Sequence, residues 1–147
     1  MRNGVEFNVD TNVRIIATVD GEVTDDVSEH NMVTDQGLNR ICQMLVSSRI
    51  INRMLFGTGS NPVSVNDTTL QTPVGSPYSI IQSNVSSRTI TLLAIIPTPD
   101  LHNVLIREVG LIDSSGDMVA RMVLPAGILK TNQKAVQATW SIIIGRV

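Results

Sequence analysis

The chain has 147 residues and a formal net charge of −2, with 42% hydrophobic, 16% charged and 3% aromatic residues. This length accommodates one domain, the apolar content excludes a disordered chain, and the missing basic excess argues against a nucleic-acid partner. Val, Ile and Thr number 18, 16 and 13, close to a third of the chain. Such stiff, β-branched side chains suit a pleated sheet better than a helix.

The N-terminal MRNGVEFNVDTN holds no apolar run of signal-peptide length. From Asn12 to Val19 the pattern alternates, with Val13, Ile15, Ala17 and Val19 on one face of a half-buried strand. Asp20-Gly21 then predicts a tight hairpin turn, and a second strand returns over about 22–32. This hairpin is acidic: Asp20, Glu22, Asp25, Asp26, Glu29 and Asp35 occur with no Lys or Arg among residues 20–35. It reads as a solvated outer hairpin, or as a docking face for a basic partner. Asp25 and Asp26, as strand neighbours, are expected to point to opposite faces.

A helix is predicted over about 34–47. Thr34 caps it, Asp35 complements its dipole, and Leu38, Ile41, Cys42 and Leu45 form the apolar stripe, which makes Cys42 a small core residue. Ser47 and Ser48 end it. Ile50 to Phe56 reads as a short strand, which Gly57-Thr58-Gly59 allows to exit tightly. Neither a third glycine nor a following helix is present, so no phosphate loop is expected there. The stretch over about 61–87 is rich in Ser, Thr, Asn and Pro and reads as a long loop. Arg88 to Ile96 is a strand apolar on both faces from Leu92 onward, as befits a central strand or one covered by another subunit. Residues 104–112 and 118–124 form a second hairpin, and Pro125-Ala126-Gly127 is expected to break the chain. The last strand carries Val136, Ala138, Trp140, Ile142 and Ile144 on one side. The predicted fold is mainly β: an antiparallel β-sandwich with one α-helix and one long loop, in a single domain over 1–147.

Chemistry is sparse along this frame. A lone Cys42 precludes an internal disulfide, and with His30 and His102 it does not make a four-ligand zinc site. No Ser occupies a Gly-x-Ser-x-Gly elbow, so the histidines read as surface residues. No catalytic residue, metal ligand or cofactor site is expected. No apolar run approaches the roughly 20 residues that span a bilayer, so a soluble compartment and no membrane partner are expected. Glu108 stands out, since it lies between Ile106 and Gly110 on an apolar strand. A buried carboxylate there needs a cation or several donors, and Arg107 or Arg121 could serve. Tyr78, in the long loop, is the one plausible stacking platform for a sugar.

Four segments occur in a recognisable order: Val33-Thr34-Asp35-Gln36-Gly37-Leu38; Phe56-Gly57-Thr58-Gly59 with Asp67-Thr68-Thr69-Leu70; Ile106 to Asp113 with Gly116 and Val119-Ala120-Arg121; and Ile128-Leu129-Lys130 before Val136 to Ile144. This order resembles the bacteriophage tail-collar and tail-fibre-base family, from about Val33 to Ile144. The resemblance implies a virion structural protein, assembled in the host cytoplasm, rather than an enzyme. Its expected partners are itself, as a trimer first and a hexamer second, and other phage tail, collar or capsid proteins. The acidic hairpin over 1–33 precedes the tail-collar-like core over 34–147, and the chain ends right after its last strand. Both features depart from the family pattern and lead to the expectation of a small standalone collar, baseplate or tail piece. Head decoration and glycan binding are the alternatives.

Overall fold

Alternating β-branched segments build ten strands and one helix over residues 7–44 and 50–146, which the computed structural model describes. In chain order they are β1 (Phe7–Val19), β2 (Glu22–His30), β3 (Met32–Val33), α1 (Asp35–Met44), β4 (Ile51–Gly57) and β5 (Pro73–Ser79). There follow β6 (Gln82–Ser86), β7 (Thr89–Ile96), β8 (Val104–Asp113), β9 (Met118–Lys130) and β10 (Lys134–Arg146). Two five-stranded antiparallel sheets result, ordered β2-β1-β10-β7-β6 and β3-β9-β8-β4-β5. They enclose one core, to which β1 gives Val13, Ile15 and Ala17 and β10 gives Val136, Ala138, Trp140 and Ile142. Met54, Phe56, Val109, Leu111 and Met122 answer from the second sheet. The predicted β-sandwich with one helix is therefore the observed fold.

The acidic hairpin is part of this framework. β1 pairs with β10 along its whole length, and the turn at Asp20 and Gly21 has φ of +51° and +81°, the left-handed pair a two-residue hairpin needs. The returning strand stops at His30 rather than near residue 32. At Asn31, whose side-chain carbonyl accepts the Thr11 hydroxyl, the chain crosses to the other sheet, where Met32 and Val33 pair with β9. Asp25 and Asp26 do face different partners. Asp26 is bidentate with Arg14 at 3.0 and 2.8 Å, whereas Asp25 meets Lys134 at 2.8 Å. Two of the six acids are thus neutralised within the fold.

Three further expectations are corrected. The segment over 61–87 is not one loop, because it contains β5 and β6; only 58–72 lacks long regular structure. Polar and proline-rich strands at sheet edges carry no apolar alternation, which hid them. Pro125-Ala126-Gly127 does not break the chain either. Ile106 pairs with Ile128 and Glu108 with Val123, so β9 bows outward in a wide bulge and continues to Lys130. Lastly, α1 is capped by Thr34 as predicted, with the Gly37 N–H donating to Oγ1 at 2.9 Å, but Leu38 is exposed. Gly37 is the buried contact, because α1 lies directly on the β9 backbone at Val119. The predicted helix end at residues 45–48 and the Cys42 side chain lie outside the described residues. β7 is internal to its sheet, as its two-sided apolar pattern suggested, with Leu92, Ala94 and Ile96 in the core and Leu93 and Ile95 half-buried on the other face.

Candidate functional site

Strict alternation would put Ile106 and Glu108 on one face of β8. The bulge between them reverses the parity, so Ile106 and Val109 both enter the inter-sheet core while Glu108 turns to the outer face. That face is covered by the 58–72 segment. Leu70 packs there with Leu55, Ile112 and Met118, in the space that Gly110 leaves open. Covering the sheet in this way removes Glu108 from water altogether.

A carboxylate so placed must find donors, because an unpaired buried charge costs several kcal/mol, of the order of the whole stability of a domain. Glu108 finds four. Its Oε1 accepts the backbone N–H groups of Gly59 at 3.1 Å and Thr72 at 2.7 Å. Its Oε2 accepts the Gln71 N–H at 3.0 Å and the Arg121 Nε–H at 2.9 Å. Arg121, itself only 2% exposed, extends Nη1 to Asp67 Oδ2 at 3.0 Å, and the same oxygen accepts the Ser64 N–H. Of the two cations the sequence offered, Arg121 is the partner. Arg107 lies instead over the β9 bulge, where a Cβ on Gly127 would fall 2.6 Å from its Cδ.

The glycines of Gly57-Thr58-Gly59 serve this carboxylate rather than a tight strand exit. A Cβ on Gly57 would sit 2.5 Å from Glu108 Oε1 and from the Thr72 carbonyl, and one on Gly59 would sit 2.7 Å from the same Oε1. Above the cluster lies a polar cleft of about 440 Å³, lined by residues that include Asn61, Asn66, Asp67, Thr69, Gln71 and Arg121. Both oxygens of Glu108 are occupied, so the arrangement fastens a segment and offers no free base. Sequence reasoning identified Glu108 and Arg121 but missed Asp67 as the second carboxylate and the amides of residues 71 and 72 as donors. The only available signal was the spacing of Asp67 within the quoted segments.

A second buried cation went unnoticed. Lys130 Nζ donates to the carbonyls of Thr98 at 2.8 Å, Asp100 at 2.6 Å and Thr131 at 2.8 Å, and burial lowers its pKa from the usual lysine value. This clip closes a turn in which Leu101 and Asn103 hold φ of +52° and +63°. Lys130→Met should cost about 3 kcal/mol, because three carbonyls lose their donor while the apolar stem is kept. Urea unfolding followed by Trp140 fluorescence checks it; an unchanged midpoint would contradict the clip.

Tyr78 is not an open platform. Its ring packs edge-on to Phe56 with centroids 6.0 Å apart, and its hydroxyl donates to Asp100 Oδ2 at 3.0 Å. Burial, with the Asp100 hydrogen bond and charge, raises the phenol from 10.0 to about 12. A folded pKa above the unfolded one means that the contact stabilises fully below pH about 10 and is lost as the pH rises toward about 12. As the only tyrosine, Tyr78 should give a phenolate absorbance step near pH 12 in the native protein and near pH 10 in denaturant. A native step near 10 would show the hydroxyl to be free.

His102 is exposed, and its Nδ1 accepts the Asn132 N–H at 3.0 Å. The His30 side chain lies outside the described ones. Among the described residues no group of three or more His, Cys, Asp or Glu is placed to hold a metal, and no helix is long and apolar enough to cross a membrane. No family model, curated protein or solved structure matches the chain.

Proposed function

We propose that this chain is a bacteriophage virion structural protein: a collar, tail, baseplate or fibre-attachment adaptor that assembles with itself and with neighbouring virion proteins. One observation carries the reading. The segments that resemble the tail-collar family, remote from one another in sequence, contribute Gly57, Gly59, Asp67, Glu108 and Arg121 to a single cluster around the buried Glu108. Glu108 and Arg121, on neighbouring strands, together fasten the 58–72 segment to the sheet through Gly59, Asp67, Gln71 and Thr72. Residues spent in this way build a rigid scaffold, and function then resides in the surfaces that the scaffold presents. A Tyr78 ring held against Phe56 removes the main support for a glycan site.

Size-exclusion chromatography with light scattering tests the proposal. A closed oligomer, or a mass that grows with concentration, is the expected result. A strict monomer at high concentration would overturn it.

A further inference from the structure

An open sandwich has four edge strands, and each unpaired edge is a template for another chain unless something blocks it. Three edges here are blocked. β2 carries Glu22, Asp26 and Glu29, with a bulge at Thr24. β3 has two residues and leads into α1, and beyond it that edge is β9, interrupted by its bulge at Pro125-Ala126-Gly127. β5 contains Pro73 and Pro77, with Gly75 at φ +64°.

β6 has no such device. Gln82-Ser83-Asn84-Val85-Ser86 bears no charge and no proline, pairs among the described residues only with β7, in unbroken register, and is exposed at all five residues. It also leaves apolar surface uncovered. Val85 pairs with Ile90, a neighbour of the core, yet is 71% exposed, and Ile81 just before the strand is 61% exposed.

We infer that β6 is a self-pairing edge, through which two copies of this chain join antiparallel about a two-fold axis near Asn84 to form one continuous sheet. Such pairing sets Gln82 against Ser86 and Ser83 against Val85, so no charge meets its like. The nearest charge, Arg88, falls opposite Ile80 of the second copy and far from its own counterpart. Pairing β2 with itself would bring carboxylates together, and pairing β2 with β6 would gain no charge attraction. A five-residue edge buries less than the roughly 1,200 Å² of a stable interface, so the pairing is weak in isolation and strengthens when copies share a scaffold. The inference rests on the self-assembly reading above and sharpens it: a two-fold contact fits an even-numbered assembly and has no place in a cyclic trimer.

Light scattering from low-micromolar to millimolar chain should show the wild type assembling. Val85→Lys should lower the mass at equal concentration, by up to half, while leaving the Trp140 unfolding midpoint unchanged, since Val85 is exposed. In a Cys42→Ser background, Asn84→Cys should oxidise to a covalent dimer faster than Val23→Cys on the opposite edge. Oligomers that persist in Val85→Lys, or equal cross-linking by the two cysteines, would overturn the edge assignment and leave self-assembly standing. A wild type that stays monomeric at millimolar concentration would overturn both.

Discussion

Replacing Glu108 with Gln is expected to lower the unfolding free energy by about 3–5 kcal/mol, the cost of breaking a buried ion pair from one side. The change is nearly isosteric, so no cavity contributes. What changes is the donor count. One amide oxygen can still accept the Gly59 and Thr72 N–H groups, but the new NH2 must then face the Gln71 N–H and the Arg121 guanidinium, donor against donor. Arg121 is left buried with Asp67 as its remaining carboxylate. A domain of this size has about 5–15 kcal/mol in total, so the variant sits near its folding threshold. Urea unfolding followed by Trp140, the one tryptophan and fully buried, measures it directly. Arg121→Met should cost less, because Glu108 keeps its three backbone donors. If Glu108→Gln unfolds at the wild-type midpoint, the cluster is not what fastens the 58–72 segment.

Gly37→Ala should also destabilise, by about 2–3 kcal/mol, against the sign of helix propensity. In a free helix the change gains about 1 kcal/mol. Here the added Cβ would lie 1.9 Å from the Val119 carbonyl oxygen and 2.8 Å from its carbon, with Thr34 Oγ1 at 3.2 Å. The nearest obstruction is sheet backbone, which cannot turn aside as a flexible side chain can. α1 must therefore lift off β9, with the overpacking cost that this brings. Asn39→Ala, on the exposed face of the same helix, provides the control and should gain a few tenths of a kcal/mol from propensity alone. Paired melts and far-UV dichroism separate the two. A Gly37→Ala protein as stable as Asn39→Ala would mean that the helix does not lie on the Val119 backbone.

These results matter for the proposed role because a part that works by shape requires its surfaces to be rigid. The Glu108 cluster, the Lys130 clip and the Gly37 contact each fix an irregular segment or a helix onto the sandwich. All three draw on the segments from which the virion role is proposed. Of the surfaces they leave open, the β6 edge bears no charge.

The sequence by itself determined the class of fold, since period-two alternation of β-branched residues says which face of a strand is buried. The Val136–Ile144 and Val13–Val19 patterns put Trp140 and Ile15 in the core without ambiguity. It also singled out Glu108 as a buried carboxylate in need of a cation or several donors, because an unpaired charge in an apolar strand costs too much. Tertiary structure alone decided the rest. Which arginine answers Glu108 depends on a bulge that reverses strand parity after Ile106, and a single sequence does not mark where an extra residue leaves the ladder. That Gly57 and Gly59 make room for a carboxylate 49 or more residues away is a matter of close approach, which carries no local signature. For the same reason the helix turned Gly37 rather than Leu38 inward: a periodic stripe tells which residues are apolar, whereas the surface already present on the sheet decides how near the helix can come.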